Sequence, residues 1–512
     1  MSAKSRYEKL TSNRSQFLQR ARHNALLTIP SLVPLEGQSN TSHLIEPYQG
    51  LGGRGVAHLS SRMLVSFLPA GRPYMRFDLD PAVKLMNGGE VDTATAKGLT
   101  IAEQLVQGEA EGKGWRASTL MSLLQLMVAG SVVEYLLPDN RIRLFRLDQF
   151  VVRRNYDGSV LELVIKECFD RDALPEGIEA PKMTMASPEK AKDEQIELYT
   201  HIKLVSEKTR KFYRRTQELG NGTSVGSPTS WAVDEFPYFC LRWSASPGED
   251  YGRSKVEDHI ADLRSLDALE KANLEMAAMA SRNFIALRPS AAAAGVKNRL
   301  VSAINGDVVV VDPDNVELKS FDNARGYQIT ANQVQILRDS LSRAFLLMSG
   351  AQRNAERVTA TEIERDLQEL EASLGGTFST LSQEMMEART RILILQMQAE
   401  QRLPAFPKGT VVPVILTGLE ALSRERDVNR AMQAAELVRS FLATDESAGT
   451  YVKMPKILHR AFLGLGFPDA VRDEAEAEAM IQQQQEAAMQ SEMMTKSAPG
   501  VAREVVKQGG EK

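Results

Sequence analysis

Residues 251–275 read YGRSKVEDHIADLRSLDALEKANLE, and the spacing of their apolar side chains sets the rest of the reading. Val256, Ile260, Leu263, Leu266 and Leu269 recur every three or four residues, which is the period of one helical face. Asp258, Asp262, Asp267 and Glu270 are interspersed among them. These acids read either as an ordinary solvated face or as a wall that repels polyanions. A helix is expected over 251–283. A small β unit follows at 284–326, where Phe284–Leu287 and Val308–Val311 are short apolar runs punctuated by Gly295, Gly306-Asp307 and Asp312-Pro313. The helical period returns over 327–348, so two helices flank a compact β insert.

The period is lost at Ser349–Val358, a stretch that holds Gln352, Arg353, Glu356 and Arg357. It reads as a loop between helices, and arginines of this kind can touch passing phosphates. Thr359 and Glu362 then form a capping box, in which the Thr side chain accepts from a free amide and the Glu reaches back. Ile363, Leu367, Leu370, Leu374, Phe378, Leu381 and Met385 make one buried stripe. Gly375-Gly376 interrupts it. Two adjacent glycines cost about 2 kcal/mol in a helix interior relative to alanine, which predicts a kink. After a Pro-rich joint at Pro404–Pro413, residues 411–480 read as short helices. Residues 481–512, with a Gln run, several Met and a Gly/Lys/Glu end, predict a frayed helix and disorder.

On the N-terminal side, residues 1–30 read as a helix with Leu10, Phe17, Ala21 and Leu26 on one face, ended by Pro30. A second helix is expected over Gly55–Leu68, and 92–130 reads as mainly helical. The apolar stretch Met121–Leu137 contains Gln125, Ser131 and Glu134 and is short of the ~20 residues of a membrane span. It reads as a core helix ending near Gly130, then a buried strand, Val132–Leu137. Arg141–Val152, Val160–Cys168, Ile196–Leu204 and Lys211–Arg215 have strand composition, and Asp157-Gly158 makes a hairpin turn. Residues 171–195 and 217–230 are polar and are expected as surface loops. The fold class is therefore α+β, mainly α-helical.

With 512 residues and 43% hydrophobic content, the chain has ample material for roughly three domains. Its formal net charge is -4. A protein that grips DNA by releasing counter-ions is usually basic, so DNA wrapping is disfavoured. A channel that lets DNA slide has the opposite need, with which a neutral or acidic wall is compatible. The two cysteines, Cys168 and Cys240, have no zinc or disulfide spacing and read as buried reduced thiols. Met1–Arg20 is polar and charged, unlike a signal peptide, so a soluble, intracellular product is expected.

Motif chemistry is sparse. Gly50-Leu-Gly52-Gly-Arg-Gly55 fits the G-x-G-x-x-G pattern. The preceding Ser42–Gln49 is no apolar strand, and no βαβ unit follows, so a flexible loop before a helix is the favoured reading over a nucleotide site. The six histidines are scattered and make neither metal spacing nor a triad. There is no P-loop, so no cofactor is expected, and any ATP-driven motor must be another chain. The residues alone carry the reading to a soluble multidomain α+β protein.

The run SGAQRNAERVTATEIERDLQELE (349–371), followed by SLGGTFSTLSQEM, resembles the portal proteins of T7-like podoviruses. So do Pro30-Ser-Leu-Val-Pro34, GRGVAHLSSRMLVSFLP (53–69), MVAGSVVEYL (127–136), Arg153 with the Asp157-Gly158 hairpin, ELYTHI (197–202), Asp250-Tyr-Gly-Arg-Ser254 with DLRSLDALEKANLE (262–275), and Thr417-Gly-Leu-Glu-Ala-Leu422, all in the same order. The resemblance implies a portal fold with wing, stem, clip and crown, assembled as a ring, usually of twelve subunits, at one capsid vertex. Carried over, the wing is 1–250, the stem helices are 251–283 and 327–348, and the clip is 284–326. The tunnel loop is 349–358, a long kinked helix returns to the wing over 359–414, the crown is 415–480 and a disordered tail is 481–512. The implied role is not enzymatic. It is to nucleate procapsid assembly, dock the terminase motor, pass and retain double-stranded DNA, and join the head to the tail.

The resemblance also implies a virion location, with host cytoplasm during assembly, and no membrane. Its implied partners are further copies of the chain, scaffolding and major capsid proteins, internal core proteins and a tail adaptor. Gln352, Arg353 and Arg357 are the expected DNA contacts, Asp258, Asp262, Asp267 and Glu270 the expected acidic wall, and Gly375-Gly376 the kink. Stem helices in a ring also pack on neighbours, so a single copy is expected to expose apolar surface. The rivals are another phage structural role, such as a tail adaptor or internal capsid protein, and a nucleotide-binding enzyme using Gly50–Gly55.

Overall fold

The computed structural model describes residues 2–38, 43–69, 73–79, 93–170, 173–174, 195–207, 210–280, 284–287, 296–304, 316–319, 324–347, 372–374, 376–404 and 411–415, with positions 433, 436, 480, 482, 483, 487 and 489. Helix α1 runs Ala3–Leu26 and is opened by Ser2, whose hydroxyl accepts from the Ser5 amide. Helix α2 is Leu51–Phe67, α3 is Thr93–Gly112 and α4 is Trp115–Ala129. The expected loop at Gly50–Gly55 is thus corrected: the glycines form the first turns of α2, and Gly52 and Gly55 are buried. Their lack of a side chain serves close packing rather than flexibility.

Gly130 ends α4 with a φ of 78°, and its amide donates to Leu126 O at 2.9 Å. Only glycine takes that left-handed cap without strain. The chain then turns directly into strand β2, Ser131–Leu136, as the sequence predicts. Strand β1, Met75–Leu79, precedes α3. The Arg141–Val152 segment divides into β3, Ile142–Phe145, and β4, Phe150–Arg154, because a turn closes between them with the Gln149 amide on Arg146 O. Strand β5 is Val160–Phe169, β6 is Ile196–Glu207, β7 is Arg210–Leu219 and β8 is Ser224–Ala232. Strand β8 and the end of β7 replace the expected loop at 217–230. Strand β8 is a polar edge strand whose one apolar face is only partly buried, through Val225 and Trp231, which leaves little alternation to read.

Strands β4 to β8 form one antiparallel sheet in sequence order, and β3-β2-β9 form a second, with β9 at Tyr238–Arg242. Cys240 is buried in β9, whereas Cys168 near the end of β5 is exposed, contrary to expectation. The C-terminal segment Val411–Ile415 is strand β12, not helix, and pairs antiparallel with β1. Pro413 is tolerated there because the ladder has only two strands, and the Phe77 amide opposite it donates to Glu103 instead, at 2.9 Å.

Helix α5, Ile260–Ala280, and α7, Ala324–Ala344, flank a unit in which β10, Phe284–Leu287, pairs with β11, Val316–Lys319. A short helix α6, Val296–Ser302, lies between them in the chain. Val308–Val311 lies outside the described residues, as do the capping box and most of the 359–480 region. The returning helix is described from α8, Gly376–Leu381, through a π-helical segment, Ser382–Glu387, into α9, Ala388–Ala399. One main core joins α2, α4, β2, β9, the base of α5 and α7, and the α8–α9 region. A smaller one packs Tyr7 and Leu10 of α1 on Val151, Val164 and Tyr199 of the larger sheet.

Candidate functional site

The helix pair α5/α7 occupies the residues expected to form the stem, and the structure explains how it is rooted. Each residue of Asp250-Tyr-Gly-Arg-Ser254 has a fixed task at the root. Asp250 Oδ1 accepts from the Arg154 amide at 2.7 Å, and the buried Tyr251 hydroxyl accepts from the Val152 amide at 3.0 Å. The Gly252 amide donates to Ser131 Oγ at 2.8 Å. A Cβ on Gly252 would lie 2.4 Å from Gly130 O, so both positions need glycine for the two backbones to cross. Arg253 bridges Glu249 and Glu257, at 2.6 and 3.0 Å. Ser254 Oγ accepts from Asn24 Nδ2 and from the Glu257 amide, at 2.8 and 3.0 Å.

The glycine-rich start of α2 is the seat of both helices. A Cβ on Gly52 would meet Leu27 O at 2.5 Å and Leu263 of α5 at 3.1 Å. A Cβ on Gly55 would meet the Phe345 ring, just past α7, at 2.7 Å. Gln49 braces the turn, donating to Leu27 O at 2.6 Å and accepting from the Gly52 amide at 2.8 Å. These glycines therefore do packing work, and no phosphate cradle is formed with a preceding strand.

The expected wall acids separate. Asp267 Oδ1 accepts from the amides of Tyr48 and Gln49, at 2.7 and 3.2 Å, and so holds the lead-in to α2. Glu270 pairs with Arg338 of α7 at 2.5 Å, tying the two helices together. Asp258 is exposed with Lys255 at 4.0 Å, and Asp262 is half-exposed. The structure does not bring the four together as one cluster. Gln352, Arg353 and Arg357 lie outside the described residues, as does Gly375; Gly376 is the first residue of α8.

Higher on the pair, apolar side chains face outward. Ile329 and Ile336 on α7 are 68% and 62% exposed, and Leu274 on α5 is 57% exposed. Ile329 and Ile336 are seven residues apart and share a line along the helix, while Val334, Leu341 and Phe345 face inward. Histidine also marks the root: His23 Nε2 lies 2.7 Å from Arg264 Nη2, and burial together with that cation pushes the imidazole pKa down. The neutral ring therefore accepts from the guanidinium, linking α1 to α5.

Sequence reasoning missed one site-building pair. Arg389 of α9 is fully buried, with Nε 2.6 Å from Glu134 Oε2 and Nη1 2.9 Å from Thr119 Oγ1, and its Nη2 also donates to Glu134. This pair clamps the returning helix to β2 and α4. Half of a signal for it existed: Glu134 is a lone charge inside an apolar run, and such a charge is buried only when paired, whereas Arg389 stands between Glu387 and Arg391 and is not marked out.

No helix among the described residues is long and apolar enough to cross a membrane. Comparison with known proteins is consistent along the chain. Residues 1–472 match the family model described as "Bacteriophage head to tail connecting protein". The chain is 34% identical to the portal protein of Escherichia phage T7, over 84% of this chain and 80% of that protein. It is 32% identical to the portal protein of Enterobacteria phage T3, over the same shares. It is 28% identical to that of Pseudomonas phage phiKMV, over 93% of this chain and 94% of the other. Among solved structures, a chain of the virion of a native gene transfer agent particle aligns with a TM-score of 0.37 at 12% identity, over 75% of this chain and 86% of that one.

Proposed function

We propose, from the premise that the chain belongs to the bacteriophage head to tail connecting protein family, that it is the portal protein of its virion. In this reading it is a structural protein at the head-tail junction, and copies of it form a ring around the path of double-stranded DNA. The observation that carries the reading beyond membership is the helix pair α5/α7. It is rooted in the body through Asp250–Ser254 and the α2 glycines, yet leaves Leu274, Ile329 and Ile336 exposed along its length. A row of exposed apolar side chains on a long helix is costly to a lone chain and is covered when identical neighbours pack side by side.

The finer assignment is part of the proposal. The body over 1–250 is the wing, the helices over 251–283 and 327–348 form the stem, and 284–326 is the clip. The segment 349–358 is the tunnel loop, the kinked helix over 359–414 returns to the wing, and 415–480 is the crown. Twelve subunits close the ring. Gln352, Arg353 and Arg357 touch passing phosphates, and the protein makes no covalent bond during packaging, retention or ejection. The terminase motor, scaffolding and capsid proteins, core proteins and tail adaptor dock on it. Asp258 and Asp262 are the acids left to face the bore, because Asp267 and Glu270 are engaged within the chain.

The test is an averaged electron-microscopic view of the purified protein along its symmetry axis. A ring with a central hole is expected, and compact particles without one reject the reading. Within such rings, Arg353→Ala with Arg357→Ala is expected to lower packaging or genome retention while rings still form. Unchanged DNA content rejects the tunnel-loop assignment.

A further inference from the structure

The larger sheet turns one face toward α1, and α1 covers only one end of it. Tyr7 and Ala3 of α1 sit over Val164, Tyr199 and Glu218. Beyond them, the register places Arg153, Glu162, Lys203, Arg214 and Ser230 in one row across all five strands, so their side chains share that face. In the next row Val205 lies opposite Phe212, and in the one after that Glu207 lies opposite Arg210.

Glu162 is already engaged, by Arg6 at 2.5 Å and by His201 at 2.8 Å. The shelf is left with four exposed cations, Arg153, Lys203, Arg210 and Arg214, against the exposed Glu207. Arg214 lies 3.5 Å from Glu207 and 5.3 Å from the Phe212 ring. Like charges directly opposite on a sheet destabilise it, and Lys203 opposite Arg214 is such a pair. The chain as a whole is acidic, at -4, so this concentration of positive charge does not follow from bulk composition. An open hollow of about 800 Å³ lies here, with Phe212 as its apolar floor and Arg210, Arg214, Glu207 and Ser230 around it.

We propose that this basic shelf docks an acidic segment of another polypeptide, one that carries an apolar side chain. Carboxylates pair with the guanidinium forks, and the apolar side chain seats on Phe212 and Val205. A DNA backbone matches the charge but brings no apolar group to that floor. Recognition falls on side chains, because the neighbouring edge strand β8 carries Pro228 and a left-handed Gly226 and is poorly suited to adding a strand.

The test uses the assembled full-length protein and a fluorescein-labelled peptide of glutamates around a central Leu-Phe pair, followed by anisotropy, with random-sequence duplex DNA as competitor. Saturable binding by the wild type is expected. Arg214→Glu is expected to weaken it by about tenfold or more. The same change sets a carboxylate opposite Lys203 while giving up the exposed pair with Glu207, so its unfolding midpoint stays close to the wild type's. Lys203→Ala, which only shortens a solvated side chain, weakens binding in the same direction and serves if the first variant misfolds. Absence of peptide binding to the assembly, binding untouched by either variant, or displacement by DNA at a lower charge concentration than peptide itself requires would each overturn the proposal.

Discussion

A methyl group added at Gly55 interrogates the seat of the helix pair directly. On an open helix surface, Gly→Ala is worth up to about 1 kcal/mol in favour of the folded state. At Gly55 the new Cβ lies 2.7 Å from Phe345 Cγ and 2.9 Å from its Cβ and Cδ2. Phe345 is fully buried, so its ring has nowhere to retreat without moving the end of α7. Overpacking of this kind costs roughly 1–3 kcal/mol. The difference predicts a net loss of up to about 2 kcal/mol for Gly55→Ala. Gly108 in α3, with nothing within 4 Å of its Cβ position, is the control, and Gly108→Ala should gain stability instead. Urea unfolding followed by tryptophan fluorescence reads both. Adding Phe345→Leu to Gly55→Ala should return part of the loss, giving a coupling of the sign expected for a shared clash. If Gly55→Ala stabilises the protein as Gly108→Ala does, and shows no coupling to Phe345, then α2 is not the seat described.

Three further outcomes are expected. Arg389→Met leaves Glu134 as an unpaired buried charge and should cost roughly 3–5 kcal/mol, while Arg389→Met with Glu134→Leu should recover most of it in the same urea assay. Ile336→Glu, at a site 62% exposed, should leave the fold intact by circular dichroism but shift sedimentation from rings toward single chains; rings of unchanged stability would remove α7 from the interface. Burial alone would raise the Glu162 pKa, but hydrogen bonds from His201 and Arg6 outweigh it and hold the carboxyl at about 2, against 4.5 unperturbed. Stability from this depressed group is full above pH 4.5 and fades as the pH falls through 4.5 toward 2, so Glu162→Gln should flatten the acid-unfolding limb in that window; superimposable limbs would exclude the triad as a contributor.

Much of the architecture was legible because it rests on local rules. The α4–Gly130–β2 junction announces itself through a helical period, a glycine and a β-branched run, and the Asp157-Gly158 hairpin through its turn chemistry. What escaped depends on partners far away in the chain. Strand β12 is made by β1, more than three hundred residues earlier, and its own five residues, VVPVI, contain a proline that argues for a joint. Strand β8 buries only Val225 and Trp231, and those in part, so periodicity says little about it. The Gly50–Gly55 segment misled for a related reason. Glycine's commonest local meaning is conformational freedom, while here its meaning is the space it yields to Leu263 and Phe345. The four helix acids could not be sorted from sequence either, since only contact with Tyr48, Gln49 and Arg338 separates structural Asp267 and Glu270 from exposed Asp258.

The two glycines that receive Leu263 and Phe345 stand one turn apart on the same helix. Both legs of the antiparallel pair therefore bear on a single fulcrum, and Glu270–Arg338 lashes them together above it. A sideways push on either leg cannot be absorbed by sliding it past its twin. Leu263 and Phe345 would be driven against the α2 backbone, where Gly52 and Gly55 leave no spare room.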